Sequence, residues 1–314
     1  MPRGPGRDAL RESAKPASDR ADGFFRYLSR CDPYRLHRHS LWSALALMTA
    51  ASGEIPPFEL AALTFLVGGA LGGAYAAARG RLGLLIQPLP VFAVGVGGLF
   101  GYHAFYFAAL RLAPPAEASL VAYLWPLLIV LMSALLPGER LSARHVIGAL
   151  IGFAGATTLF YGRMGGLNLA LGGPTLLGYA LALGCAFVWS SSSVLSRLLK
   201  GAATEAVAGS CLAIAALAAV CHALFETTVW PAHPSEWAAI VGLGLGPVGL
   251  AFYVWDYGVK NGDIRLLGVA AYAAPVLSTL ILVAAGYAPA TWALGLACAL
   301  AVGGALVAWR PGVR

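Results

Sequence analysis

The sequence predicts an all-α polytopic membrane protein with ten transmembrane helices arranged as two inverted five-helix repeats. Three observations carry this expectation: too little polar residue content for a water-soluble chain, apolar stretches of bilayer length, and short motifs that recur at a nearly fixed offset. Of 314 residues, 59% are hydrophobic and 11% charged, with mean hydropathy +0.75. Soluble domains are roughly 45–50% apolar and about 25% charged, so lipid has to supply the outer shell.

A helix needs about 20 apolar residues to cross the hydrocarbon core. The first candidate, 41–53, reads LWSALALMTAASG and is too short alone. Stretch 58–78 ends at Arg79 and Arg81, and 90–110 ends at Arg111. Stretch 116–136 contains Pro126 and runs into Pro137-Gly138-Glu139, and the glycine-rich 144–161 stops before Arg163. Stretch 174–196 carries Trp189 and four serines and ends at Arg197 and Lys200; 205–225 follows. Stretch 237–258 contains Pro247 and precedes Lys260, 265–285 contains Pro275, and the glycine-rich 290–309 meets Arg310. None alternates apolar and polar residues as barrel strands do.

Charge orients these spans. With the N-terminus cytoplasmic, 19 Lys and Arg fall on that side, nine of them in the tail, against Arg111 and Arg163 on the other. Without the tail the bias is still 10 against two. The positive-inside rule then puts both termini in the cytoplasm of an inner-membrane protein. The segments expected are a polar tail over 1–40, one five-helix unit over 41–161 and a second over 174–309.

Those units answer each other. Leu41-Trp42-Ser43 matches Val188-Trp189-Ser190 at an offset of 147, as Ala104-Phe105-Tyr106 matches Ala251-Phe252-Tyr253. Ala122-Tyr123-Leu124-Trp125-Pro126 matches Ala271-Tyr272-Ala273-Ala274-Pro275 at 149, and Gly148 and Gly155 fall near Gly295 and Gly303. An odd number of helices per copy sends the second copy in from the opposite face, which makes the repeat inverted.

The W-S pair, the A-Y-x-x-P motif, Pro137-Gly138-Glu139 and the glycine-rich fifth helix resemble the drug/metabolite transporter superfamily, in particular EamA-type exporters. The segment LWSALALMTAASGEIPPFELAALTF further resembles the aromatic amino acid exporters of the YddG type. The resemblance spans 41–309 and implies export of aromatic and other neutral amino acids by alternating access. One departure is Asp32-Pro33-Tyr34-Arg35-Leu36-His37-Arg38-His39, where the family has an apolar start to helix one and lipid burial is costly. Codons for Arg35 to His39 read one nucleotide later can spell Gly-Phe-Ile-Ala-Ile, so an aberrant frame explains it; a helix that begins late explains it too.

Inverted-repeat transporters place their site at the midplane between halves, which selects polar and aromatic residues near the middles of matching helices. Tyr102, His103 and Tyr106 lie within one turn, as do Tyr253, Asp256 and Tyr257. Rings with one polar atom suit a pocket for neutral or aromatic solutes, and equally suit helix packing or an interfacial belt. His103 reads as a pocket residue or a hydrogen-bonded packing residue rather than a proton relay, and Asp256, an intramembrane carboxylate and so a candidate substrate contact, reads first as the partner of Lys260. Trp42, Trp189 and Ser193 are further substrate-binding candidates, because the serine run covers every face of its helix. Pro126 and Pro275 bend equivalent helices, which suits gating or a static bend, and Tyr123, Trp125 and Tyr272 flank those bends. Arg111 and Glu117 read as an exposed pair, and His222 as near a helix end.

The competing classes lack their residues. No HExxH or comparable metal motif appears, Cys185, Cys211, Cys221 and Cys298 lie in apolar runs without a CxxC neighbour, and Cys31 stands alone. The chain therefore calls for no metal, cofactor or enzymatic role. There is no secretory signal and no charged ring or filter for a channel, and the basic residues are not interleaved with aromatics as nucleic acid would require. Phosphorylated cargo such as nucleotide-sugars would need Lys or Arg at the midplane, and there is none. The expected partners are amino acids and the bilayer, with the chain acting as a monomer.

Overall fold

The computed structural model describes residues 42, 44–164, 173–284, 286 and 289–309, and every regular element among them is helical. The expectations for the tail and its reading frame lie outside the described residues.

α1 (Leu45–Ala51) is the short first candidate. Pro57 starts α2 (Pro57–Ala78), at a position where its missing N–H costs nothing, and α3 (Leu89–Leu112) follows. The next stretch is broken into α4 (Pro115–Ala122) and α5 (Trp125–Met132), followed by α6 (Ala143–Met164). α7 (Gly173–Leu198) and α8 (Ala206–Phe225) are continuous. α9 (Pro234–Leu245) runs through a π-helical turn, Gly246–Leu250, into α10 (Ala251–Asn261). A second broken stretch, α11 (Ile264–Ala271) and α12 (Ala273–Ala284), precedes α13 (Trp292–Ala308). Among the described residues, seven segments are long and apolar enough to cross a membrane, and two apolar helices, Ala143–Leu159 and Trp292–Ala308, are shorter.

The two breaks share a cause. Pro126 and Pro275 cannot donate to the carbonyls of Ala122 and Ala271 four residues back. The chain tightens there instead, with Leu124 donating to the Val121 carbonyl at 3.1 Å and Tyr272 to the Val269 carbonyl at 3.3 Å. Pro247 likewise lies in the π turn, where Gly249 sits so close to the Gly244 carbonyl that a Cβ would overlap it.

Packing joins helices across the middle of the sequence: α2 lies along α8, α3 along α7, and α6 along α13. In the last pair the backbones nearly touch, since a Cβ on either Gly148 or Gly304 would stand 2.5 Å from the other residue's carbonyl oxygen. By contrast, Gly295 and Gly303 face open space. Large apolar side chains point outward along the bundle, including Trp292 at 71% exposure and Phe225 at 67%. Such a surface is a liability in water and is ordinary against acyl chains; this is a multi-pass membrane protein.

Candidate functional site

A cavity of about 620 Å³ lies between α1, α3, the α4–α5 break, α7, the π turn and α12. Along the spans it reaches from Trp42, Trp125 and Trp189 to Thr49, Ser119 and Thr279, toward the end of the bundle that carries Arg111 and Glu226. Among the described residues that line it, none is Lys, Arg, Asp or Glu.

The floor is an aromatic wall. Trp42 meets Trp125 and Trp189 edge-on, each at 6.4 Å between centroids, and Trp255 at 5.1 Å. Trp189 stacks on Trp255 at 5.8 Å and lies 5.9 Å from Phe252, which itself stacks on Phe65. Polar atoms pin these rings. The Trp42 indole donates to the Pro247 carbonyl, within the π turn, at 3.1 Å, and the Trp255 indole donates to Ser193 Oγ at 3.2 Å. Ser190 holds α7 to α5 through the Trp125 carbonyl at 2.8 Å.

Above the wall, α3 supplies one face. Tyr102 and Tyr106 stack at 5.9 Å, one turn apart, and Tyr102 lies 5.7 Å from Trp189. The Tyr106 hydroxyl and Ser119 Oγ are 2.7 Å apart. His103 Nδ1 lies 2.7 Å from the Leu99 carbonyl. A carbonyl only accepts, so Nδ1 carries a proton and is the donor of this bond. Tyr123, at the α4–α5 break, and Pro275, Ser278 and Thr279 of α12 complete the lining. Apolar area with a few hydroxyls and one imidazole suits a solute that carries an aromatic or aliphatic side chain.

Seven of the ten expected substrate-binding residues, Trp42, Tyr102, His103, Tyr106, Tyr123, Trp125 and Trp189, line this cavity, with Pro275 beside them. Four candidates lie elsewhere. Tyr253 turns to α2, donating its hydroxyl to the Gly68 carbonyl at 3.1 Å. Tyr272 is fully buried against α5 and α6, where its oxygen accepts from the Leu127 N–H at 3.2 Å. Pro126 is buried behind the break that it creates, and Ser193 belongs to a smaller cavity below the wall. Phe252, Ser119, Ser278 and Thr279 also line the cavity without having been expected there; Phe252 is the centre of the repeated Ala251-Phe252-Tyr253 motif, but its ring has no polar atom to single it out beside Tyr253.

Ion pairs occupy the two ends. Arg197 donates to the carbonyls of Val259, Lys260 and Gly262 at 2.8–2.9 Å and to Glu139 at 3.0 Å. Arg265 joins Glu139 at 3.2 Å and Asp263 at 3.0 Å. Burial raises the Asp263 carboxyl, but the hydrogen-bonded, charged Arg265 outweighs it and holds Asp263 below the usual carboxylate range. Asp256 and Lys260 are paired at 2.8 Å, as the spacing suggested. At the opposite end, Glu226 accepts from the Phe58 and Glu59 N–H groups and from His222, and Arg111 approaches it at 3.9 Å. Arg111 thus faces Glu226 rather than Glu117, which is buried, so the exposed pair read from sequence is replaced by a cross-helix one.

The sequence pattern of the EamA-like transporter family matches residues 40–161 and 176–310. The chain belongs to the EamA-like transporter family. It is 62% identical over 270 residues to the aromatic amino acid exporter YddG of Ancylobacter novellus, covering 85% of this chain and 93% of that one. The Escherichia coli exporter of the same name is 24% identical over 67% of this chain and 70% of its own. A solved crystal structure superposes with a TM-score of 0.84 at 60% identity, covering 88% of this chain and 94% of that one. The family match fits the charge-free cavity: EamA-like proteins are transporters by name, and these relatives are named exporters.

Proposed function

We propose that this protein exports aromatic and other neutral amino acids across the inner membrane by alternating access. The observation that carries this is the cavity of about 620 Å³ walled by tryptophans and tyrosines, with no charged side chain among the described residues that line it. Its size falls within the range of about 300–1,000 Å³ typical of small-molecule sites. The 62% identical relative, an aromatic amino acid exporter by name, supports the same cargo. A phosphorylated solute would need Lys or Arg where this cavity has rings and hydroxyls. The reading as a carrier and not an enzyme rests on the transporter and exporter names of its relatives.

The architecture behind the proposal is two inverted five-helix units, 41–161 and 174–309, with ten crossings, α1 completing the first. The two family matches support it, and so does packing. At an offset of 149, Gly148 answers Ala297 and Gly155 answers Gly304. Gly148 packs on Gly304, and Gly155 approaches the Ala297 carbonyl, as a two-fold axis between α6 and α13 requires. The Lys/Arg bias makes the Arg197 end and both termini cytoplasmic, so the cavity faces outward.

The test is purified protein in liposomes preloaded with single labelled amino acids, with and without a pH gradient. Flux of phenylalanine and other neutral amino acids is the expected result. No flux of any neutral amino acid, together with transport of a phosphorylated solute, overturns the assignment.

A further inference from the structure

Below the aromatic wall lies a second cavity of about 80 Å³, and Trp189 and Phe252 line both. The two chambers differ in kind. Among the described residues, the upper has no charged lining side chain, whereas the lower is bordered by Asp256 and Lys260 of α10, with Ser192 and Ser196 of α7 and Ser210 of α8. Asp256 Oδ2 and Lys260 Nζ are 2.8 Å apart, and their side chains are only 14% and 5% exposed. Ser196 donates to the other Asp256 oxygen at 3.1 Å, and Lys260 also donates to the Ala202 carbonyl at 3.0 Å.

A buried ion pair tolerates only certain visitors. Removing one partner strands a charge at a large cost, so a lone cation or anion that captured one member would leave the other unpaired. A zwitterion avoids that cost, because its ammonium takes the carboxylate and its carboxylate takes the ammonium in a single exchange. An amino acid entering from the Arg197 end meets this pair before it meets the wall. We propose that Asp256 and Lys260 form an entry site that receives the α-ammonium and α-carboxylate of the amino acid below the Trp189–Phe252 wall. The side chain is then sorted by the aromatic chamber above, and the charged head by this pair. At about 80 Å³ the lower cavity has far less room than the upper one, so the exchange belongs to the state in which the Arg197 end has opened.

The inference rests on the proposed amino acid export, and its test separates the two. In proteoliposomes of defined orientation, KM for labelled phenylalanine is measured from each face for wild type, Asp256→Asn and Lys260→Met. Competition by phenethylamine and by 3-phenylpropionate is measured alongside. Each variant is expected to raise KM at the Arg197 face at least tenfold more than at the other face. Asp256→Asn is also expected to shift inhibition at the Arg197 face at least fivefold toward 3-phenylpropionate, which lacks the ammonium. Equal changes at both faces, or an unmoved analogue ratio, overturn the entry site and leave export standing. Wild-type protein that moves no neutral amino acid sinks the export reading, and the entry site with it. Should a single variant fail to fold, the swapped pair Asp256→Lys with Lys260→Asp keeps the internal contact. It is expected to stay impaired at the Arg197 face, and wild-type KM there overturns the proposal.

Discussion

Trp189 touches more of the candidate site than any side chain around it: Tyr102 above, Trp42 and Trp125 beside, Trp255 and Phe252 below. Trp189→Ala opens one chamber into the other and leaves a void that costs the fold about 3–5 kcal/mol. Phenylalanine efflux is expected to fall by at least about tenfold, equivalent to roughly 1.4 kcal/mol on the barrier, while Trp189→Phe retains most of it. Tyr106→Phe removes only the hydroxyl bonded to Ser119, about 1 kcal/mol, and is expected to change efflux less than the alanine at 189 does. Liposome flux with a parallel thermal melt checks both; unaltered flux in Trp189→Ala defeats the pocket. Spacing alone pointed to Trp189 because the W-S motif recurs, but it misplaced Tyr253. Three-residue spacing fixes which residues share a helix face, not which neighbour that face meets, and the face of Tyr253 meets the Gly68 carbonyl of α2.

At the scale of elements, the close contact of α6 with α13 and the start of α11 each rest on one small feature. Gly304→Leu drives a side chain into the Gly148 carbonyl and is expected to destabilise by about 1–3 kcal/mol or more. Gly303→Ala, one residue away, meets nothing within 4 Å and is expected to melt like wild type. Sequence comparison picked Gly303, since a periodic glycine pattern does not reveal which glycine faces the partner helix. Asp263 caps α11, accepting from the Arg265 and Leu266 N–H groups. Asp263→Ala is expected to cost about 1 kcal/mol, and Asp263→Asn less, because the amide oxygen still caps. The folded carboxyl titrates below its unfolded value of about 3.9, so its contribution is complete above that pH and is lost as pH falls through the folded value. The stability gap between wild type and Asp263→Ala should therefore narrow on acidification, as thermal melts across pH would show. The breaks at Pro126 and Pro275 were legible because a missing amide hydrogen acts locally; the same signal at Pro247 does not distinguish a π turn from a simple bend.

At the scale of the molecule, what was legible was the apolar length of the spans, while which chamber stands open depends on contacts between helices far apart in sequence. Arg197 ties α7 to the end of α10 and to Glu139 through four hydrogen bonds, directly beside the lower cavity. Arg197→Ala removes that tie and, if the two chambers open in alternation, must shift the population toward the state open at this end. Single cysteines at Thr49 in the upper cavity and Val94 in the lower, in a background without the native cysteines, report it through a membrane-impermeant maleimide. Adding Arg197→Ala is expected to speed labelling of Val94→Cys from the Arg197 side severalfold and to slow labelling of Thr49→Cys from the opposite side. The opposed signs are what matter: loosened packing would speed both reactions, whereas a bundle that exchanges one opening for the other cannot.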